Sequence, residues 1–125
     1  MAVKILRSML SFAGIEATVP GDSSAFEVVA ARDLSGHDKK CFTVKNTSGV
    51  PVDEVDVYAS PKSPADALGV DSVDWEFIGT IAAPLAANSI VSFQVSGDSR
   101  RSWKIVAYNS VPNATVIGYV TAGSI

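Results

Sequence analysis

The sequence predicts an all-β chain: an antiparallel β-sandwich of about seven to eight strands, immunoglobulin-like or jelly-roll-like, with an apolar N-terminal arm. Three observations predict it. From Lys40 to Thr121, short segments of alternating apolar and polar residues follow one another with turn residues between them, the pattern of strands that bury one face. No helical pattern of ~10–15 residues lies between these segments, so the crossovers that parallel strands require are missing and the sheets should be antiparallel. The chain has 125 residues, 47% of them hydrophobic and only 18% charged, which suits one domain burying roughly two-thirds of its unfolded surface.

The first segment, Val3 to Ala13, places apolar side chains at 3, 6, 10 and 13 and at 5, 9 and 12, a spacing that forms an apolar stripe on a helix ended by Gly14. Lys4 and Arg7 give it the basic start of a secretory signal, but Ser8, Ser11, Gly14 and Glu16 interrupt the apolar run such a signal needs. No stretch approaches the ~20 apolar residues of a transmembrane helix. Glu16 to Ala25 has linker composition, with Pro20-Gly21 as a turn signal. The expected division is therefore residues 1–25 as arm and linker and 26–125 as sandwich. The arm either packs on its own domain as helix or strand, or docks on a neighbouring subunit.

Seven strands are expected beyond the linker. They are Phe26 to Ala31, Cys41 to Asn46, a segment in which Val55, Val57 and Ala59 share the inner face, Trp75 to Ile81, Ser89 to Val95, Ser102 to Asn109, and Thr115 to Thr121. Glu54, Asp56 and Tyr58 then share the outer face. Trp103, Ile105 and Ala107 fall on one side of their strand, and Trp75 and Trp103 are each expected to seal one end of the core. One connection is long. Ser60 to Asp74 spans 15 residues, and Pro64 to Leu68 within it has the composition of a single helical turn capped by Ser63.

Composition excludes several functions. The net charge is −3 and the ten basic residues are scattered, so no nucleic-acid footprint appears. The single histidine, His37, lies in a turn, and the single cysteine, Cys41, reads as a small buried apolar group in a chain that can form no intrachain disulfide. No nucleophile motif, phosphate loop or dinucleotide glycine pattern is present, so the chain reads as a non-enzyme without cofactor. Asp53, Glu54, Asp56, Asp66, Asp71 and Asp74 match no calcium-loop spacing and read as a solvated edge that discourages strand-to-strand aggregation. Asn46-Thr47-Ser48 and Asn113-Ala114-Thr115 have the form of glycosylation sequons, common by chance in turn-rich chains.

Four phrases, Phe42 to Gly49, Val55 to Ser60, Trp75 to Ile81 and Trp103 to Tyr108, together resemble the small β-sandwich accessory proteins of tailed bacteriophage virions, such as head-decoration (cement) and head-to-tail components. The resemblance spans roughly residues 40 to 121. It implies a virion structural protein, made in the host bacterial cytoplasm, that binds the major capsid protein or another virion protein in many copies or as a homo-oligomer. It carries no residue-level site. The residues expected to meet partners come from the arm and the long loop: Val3, Ile5, Leu6, Met9, Leu10, Phe12, Pro61, Pro64 and Leu68. The alternative is a secreted or surface immunoglobulin-like module that binds carbohydrate or protein.

Overall fold

The computed structural model describes residues 8–67, 74–110 and 114–124. They form nine strands and no helix: β1 (Ser8–Ala13), β2 (Ala17–Val19), β3 (Phe26–Asp33), β4 (Lys39–Asn46), β5 (Glu54–Ser60), β6 (Glu76–Ala82), β7 (Ile90–Ser96), β8 (Ser102–Tyr108) and β9 (Ala114–Ser124). One sheet has the order β1-β9-β4-β7, with β2 also paired to β9, and the other the order β3-β8-β5-β6. The strand pairings given for both sheets are antiparallel. Taking β1 and β2 as one broken strand, the pairs β1/β2·β9, β3·β8, β4·β7 and β5·β6 are those of one long hairpin folded at its middle. Rolling that hairpin so that β4 meets β9 and β5 meets β8 produces two sheets from it. Of the two sandwich types expected, the chain therefore has the jelly-roll order.

Period-two alternation explains which side chains fill the space between the sheets. Phe42 and Val44 of β4, Val55, Val57 and Ala59 of β5, Trp103, Ile105 and Ala107 of β8, and Val116 and Val120 of β9 are all buried in one cluster. Each fully buried Val, Leu or Ile side chain contributes about 1.5–3 kcal/mol. The Phe42 and Trp103 rings stack at 5.5 Å across the two sheets.

Three sequence expectations are corrected. The apolar stripe of Val3 to Ala13 is not helical where it is described: Ser8–Ala13 is strand β1, with Leu10 opposite Ala122 and Phe12 opposite Val120. The linker holds a strand too, Ala17–Val19, with Val19 fully buried. A boundary at residue 25 thus cuts through the first sheet, because the long β9 edge needs backbone partners and residues 8–19 supply them. In β6, the period-two alternation expected of the strand, which puts Phe77 and Gly79 on one face and Glu76, Ile78 and Thr80 on the other, fails between Phe77 and Gly79. Phe77 pairs with Tyr58 while Gly79 pairs with Val57, a two-to-one register shift that turns Phe77 outward and Gly79 inward. Pro64 to Ala67 makes the expected turn, with the Ala67 N–H donating to the Ser63 carbonyl at 2.9 Å.

Close approach of the sheets has a sequence cause at Gly118 on β9. A Cβ there would lie 2.6 Å from Val29 Cγ2 and 2.9 Å from Val28 Cγ1, so only glycine lets β3 pack at this distance. Gly118→Val is expected to destabilise the chain by about 2–3 kcal/mol through overpacking, measured by chemical denaturation; an unchanged midpoint would contradict this packing.

Candidate functional site

Chain topology gathers the polar features at one end of the sandwich. There the β3–β4 and β7–β8 connections lie side by side, with the Gly97 N–H donating to the Asp38 carbonyl at 2.9 Å and the Leu34 N–H to the Arg101 carbonyl at 2.8 Å. The long β5–β6 connection leaves Ser60 at the same end, where the Arg101 N–H donates to the Ser60 carbonyl at 3.1 Å. Strand β1 begins there as well, Ser8 lying opposite Ser124 beside the start of β4. Ion pairs stitch this end together: Arg101 Nε to Asp33 Oδ2 at 2.7 Å, Lys62 Nζ to Asp74 Oδ1 at 2.7 Å, and Arg100 Nη2 to Glu76 Oε2 at 3.0 Å. Hydrogen bonds from Ser35 and Arg101 pull the Asp33 carboxyl down to about 2. Buried Lys40 donates to the Asp98 carbonyl at 2.7 Å and sits 4.8 Å from the Trp103 ring centroid. Burial pulls its pKa down, opposed by Asp98 and Asp38.

Two depressions open here. One, of about 380 Å³, lies between the loops and is lined by Leu34, His37, Asp38 and Asp98. The other, of about 540 Å³, spans the ends of β7, β4 and β9 and is lined by Lys39, Cys41, Gln94, Ser96 and Thr121 among others. Cys41 is therefore only half-buried, on the outer face of its sheet with Thr43, instead of lying in the core. The parity that sends Phe42 inward sends its neighbours out.

The outer face of the second sheet holds a second polar group. Lys104 is fully buried, its ammonium 4.1 Å from the Trp75 ring centroid, 6.0 Å from that of Tyr58 and 3.5 Å from Glu27 Oε1. Trp75 thus covers this sheet from outside and does not seal the core; only Trp103 lies between the sheets. Asp56 is 2% exposed and accepts from Thr80 Oγ1 at 2.9 Å. Above it the Tyr58 and Tyr108 hydroxyls meet at 2.8 Å. Because Tyr58 lies two residues beyond Asp56 on β5 and Tyr108 two beyond Val106, its partner on β8, this bridge runs diagonally over the carboxyl. Burial and the neighbouring Glu54 carboxyl push Asp56 up to about 7. The expectation that these carboxylates form a solvated edge is corrected at this residue.

The expected partner residues fall as follows. Val3, Ile5, Leu6 and Leu68 lie outside the described residues. Met9 and Leu10 occupy β1, opposite Gly123 and Ala122. Phe12 is half-buried against the core under the Arg32 guanidinium, 4.9 Å from its ring centroid, so it serves its own domain. Pro61 is exposed and Pro64 half-buried in the long loop. Sequence reasoning missed Lys104 as a site residue, although strand parity already places it on the outer face. Asn46 is no glycan acceptor: it is fully buried, its amide donating to the Val50 and Leu85 carbonyls and accepting from Ser48. Asn113 lies outside the described residues. Among the described residues, no three His, Cys, Asp or Glu side chains gather as a metal site would need.

The Asp56 environment sets a pH dependence. The folded chain holds its proton up to about 7 against an ordinary value of 3.8, so stability is expected to fall as pH rises from about 4 to about 7 and to level off above that. Asp56→Asn should flatten this slope in urea denaturation series; a slope unchanged by the substitution would contradict the assignment.

No protein-family model matches the sequence, and no curated protein matches it. Several solved structures share the fold. PirA superposes with a TM-score of 0.56 at 11% identity, covering 90% of this chain and 92% of its own. The SPBc2 prophage-derived protein YomS gives 0.52 at 12% identity, covering 99% of both chains. The K1 cleaved adhesin domain of Lys-gingipain from Porphyromonas gingivalis W83 gives 0.51 at 14% identity, covering 94% of this chain and 99% of its own. At such identities the likeness is one of fold, an antiparallel β-sandwich occupying nearly the whole chain.

Proposed function

We propose that this chain is a non-enzymatic structural protein of a virion, made in a bacterial host and carried in many copies as a decoration or cement protein that binds neighbouring capsid subunits. The observation that supports this most is the convergence at one end of the sandwich of the start of β1, to which residues 1–7 connect, and the long loop that begins at Pro61. Two segments that would reach a partner thus start at the same end of the sandwich. Seven extended residues span up to about 25 Å, enough to lie on an adjacent subunit. Val3, Ile5 and Leu6 would supply buried apolar area and the backbone would supply hydrogen bonds. Many copies on one particle turn such modest contacts into firm attachment. The jelly-roll order fits the reading because viral capsid domains share it, and the fold likeness to a prophage-derived protein points the same way.

Lectin domains also use the jelly roll, and an adhesin domain is among the structures of like fold. A surface module for carbohydrate or protein is therefore the second reading. The exposed Phe77, set edge-on to Tyr58 at 5.9 Å, is the feature that favours it. Both tryptophans are buried, which leaves that aromatic surface small.

Removing residues 1–7 spares β1 and β2, whereas removing residues 1–20 would strip the β9 edge. The shorter truncation is expected to keep a melting temperature within a few degrees of the full chain and to lose co-sedimentation with capsid particles at least tenfold. Particle binding unaffected by the truncation would remove the arm from the account, and glycan binding by the intact chain would favour the second reading.

A further inference from the structure

Among the described residues the two sheets end in β1 and β7 and in β3 and β6, and three of these edges carry features that discourage a further strand. β3 shifts register twice against β8 and bears Glu27, Arg32 and Asp33. β6 shifts register twice against β5 and opens on Glu76, which pairs with Arg100. The β1 edge breaks after Ala13, before β2 resumes at Ala17, and the Arg32 guanidinium lies over its Phe12 ring. β7 has none of these features. Its seven residues, Ile90 to Ser96, pair with β4 without a shift, and none of them is charged, proline or glycine.

The backbone of β7 alternates in where it points. The Asn46 N–H donates to the Ser89 carbonyl at 2.8 Å and the Gly97 N–H to the Asp38 carbonyl at 2.9 Å, so the ladder to β4 is bonded at residues 89 and 97, on either side of the strand. By the two-residue repeat of an antiparallel pair, Val91, Phe93 and Val95 also bond to β4. The N–H and C=O groups of Ile90, Ser92, Gln94 and Ser96 then point the other way, where among the described residues no strand pairs. Side chains follow the same parity: Val91, Phe93 and Val95 turn inward yet are only half-buried, at the rim of the core.

We infer that β7 of one copy pairs antiparallel with β7 of a second copy, joining their first sheets into one continuous sheet across a two-fold axis. An axis through Phe93 sets Phe93 opposite itself, Val91 opposite Val95, Ser92 opposite Gln94 and Ile90 opposite Ser96. This is the one antiparallel register that overlaps the whole strand. It gives each outward-pointing N–H and C=O a partner, about eight main-chain hydrogen bonds in all. The side chains agree with it, because aromatic and β-branched residues face each other at the core rim, where the half-exposed Val91, Phe93 and Val95 lose water, and no like charges meet. Such a contact is isologous and closes at the dimer. Seven residues at about 3.3 Å and a sandwich about 10 Å deep cover roughly 230 Å² on each copy, so the contact is weak in isolation. It goes beyond the particle reading and needs no capsid, although many copies held on one surface would strengthen it.

A proline and a cross-link test the pairing on the full chain. Ser92→Pro removes an N–H that points away from β4, so the ladder within the chain stays whole, and an edge strand tolerates proline at such a position. Sedimentation equilibrium is expected to show a wild-type dimer that grows with concentration up to about 1 mM and changes little with salt, because no charged residues meet. Ser92→Pro should dimerise at least about tenfold more weakly while melting within a few degrees of wild type. Register is read with cysteines in a Cys41→Ser background, since Cys41 lies opposite Gln94 within the chain. Under oxidising conditions a mixture of Ser92→Cys and Gln94→Cys should form a disulfide-linked dimer at least about fivefold faster than either variant alone, because only the mixture brings the two Cα atoms to ~5.5 Å. A wild type that stays monomeric at about 1 mM would overturn the pairing. Ser92→Pro dimerising like wild type, or a mixture that cross-links no faster than its components, would do the same. If Ser92→Pro fails to fold, the cross-link decides. A monomeric wild type that still decorates particles would overturn the pairing alone and leave the virion reading standing, and a cross-linked dimer that ignores particles would do the reverse.

Discussion

The stack of Phe42 on Trp103 is the contact on which the rest of the structure depends. With no disulfide and no described helix, the two sheets are held by side-chain packing alone, and these rings are the largest pair that crosses between them. Trp103 also anchors what lies outside the core. Its indole N–H donates to the Arg100 carbonyl at 2.8 Å, and its ring lies under the Lys40 ammonium, which holds the Asp98 carbonyl. One buried ring therefore fixes the separation of the sheets and the course of the β7–β8 connection. Through Arg101 and its pair with Asp33, that connection in turn orders the β3–β4 loop. The described part of the loop end is thus tied to the core at this point.

A second constraint is the rolled hairpin itself. Because β9 pairs with β4 on one side and with β1 and β2 on the other, the N-terminal strand is used to cover an edge of the long β9. The arm is thereby divided: the described residues from Ser8 onward belong to the sandwich, and the proposed partner contact rests on the residues before it. The same topology brings three connections together at one end, so that an arm and a loop far apart in sequence start from adjacent points.

Much of this architecture is legible in the sequence, and the reason is periodicity. Strand parity assigns Val55, Val57 and Ala59 to the inside correctly and groups Trp103, Ile105 and Ala107 on the one side that is buried, since a period of two leaves no other arrangement once a face is buried. Parity fails at β6, where a bulge after Phe77 exchanges the faces, and a bulge has no signature beyond a glycine nearby. It also fails in the arm, where spacings of three and four suit a helix but β9 offers backbone hydrogen bonds that a free helix could not match. The environment of Lys104 and Asp56 was not legible. Both sit on an outer face where charge is usual; what buries them is Trp75 and a diagonal pair of tyrosines, contacts set by the path of a long loop and by strand order. Burial and the nearby Glu54 are what hold a proton on Asp56, and neither follows from its local sequence.

The proposed role rests on where the strand topology starts the N-terminal segment and the long loop, at one end of the sandwich. The most direct measurement is electron cryomicroscopy of the particles made in the cell that produces this chain, combined with protein mass spectrometry to count copies. The account predicts many symmetry-related copies on the outer surface, each sandwich oriented with its loop end toward the capsid. Particles that lack the chain, together with the protein recovered free or on a cell surface, would contradict it.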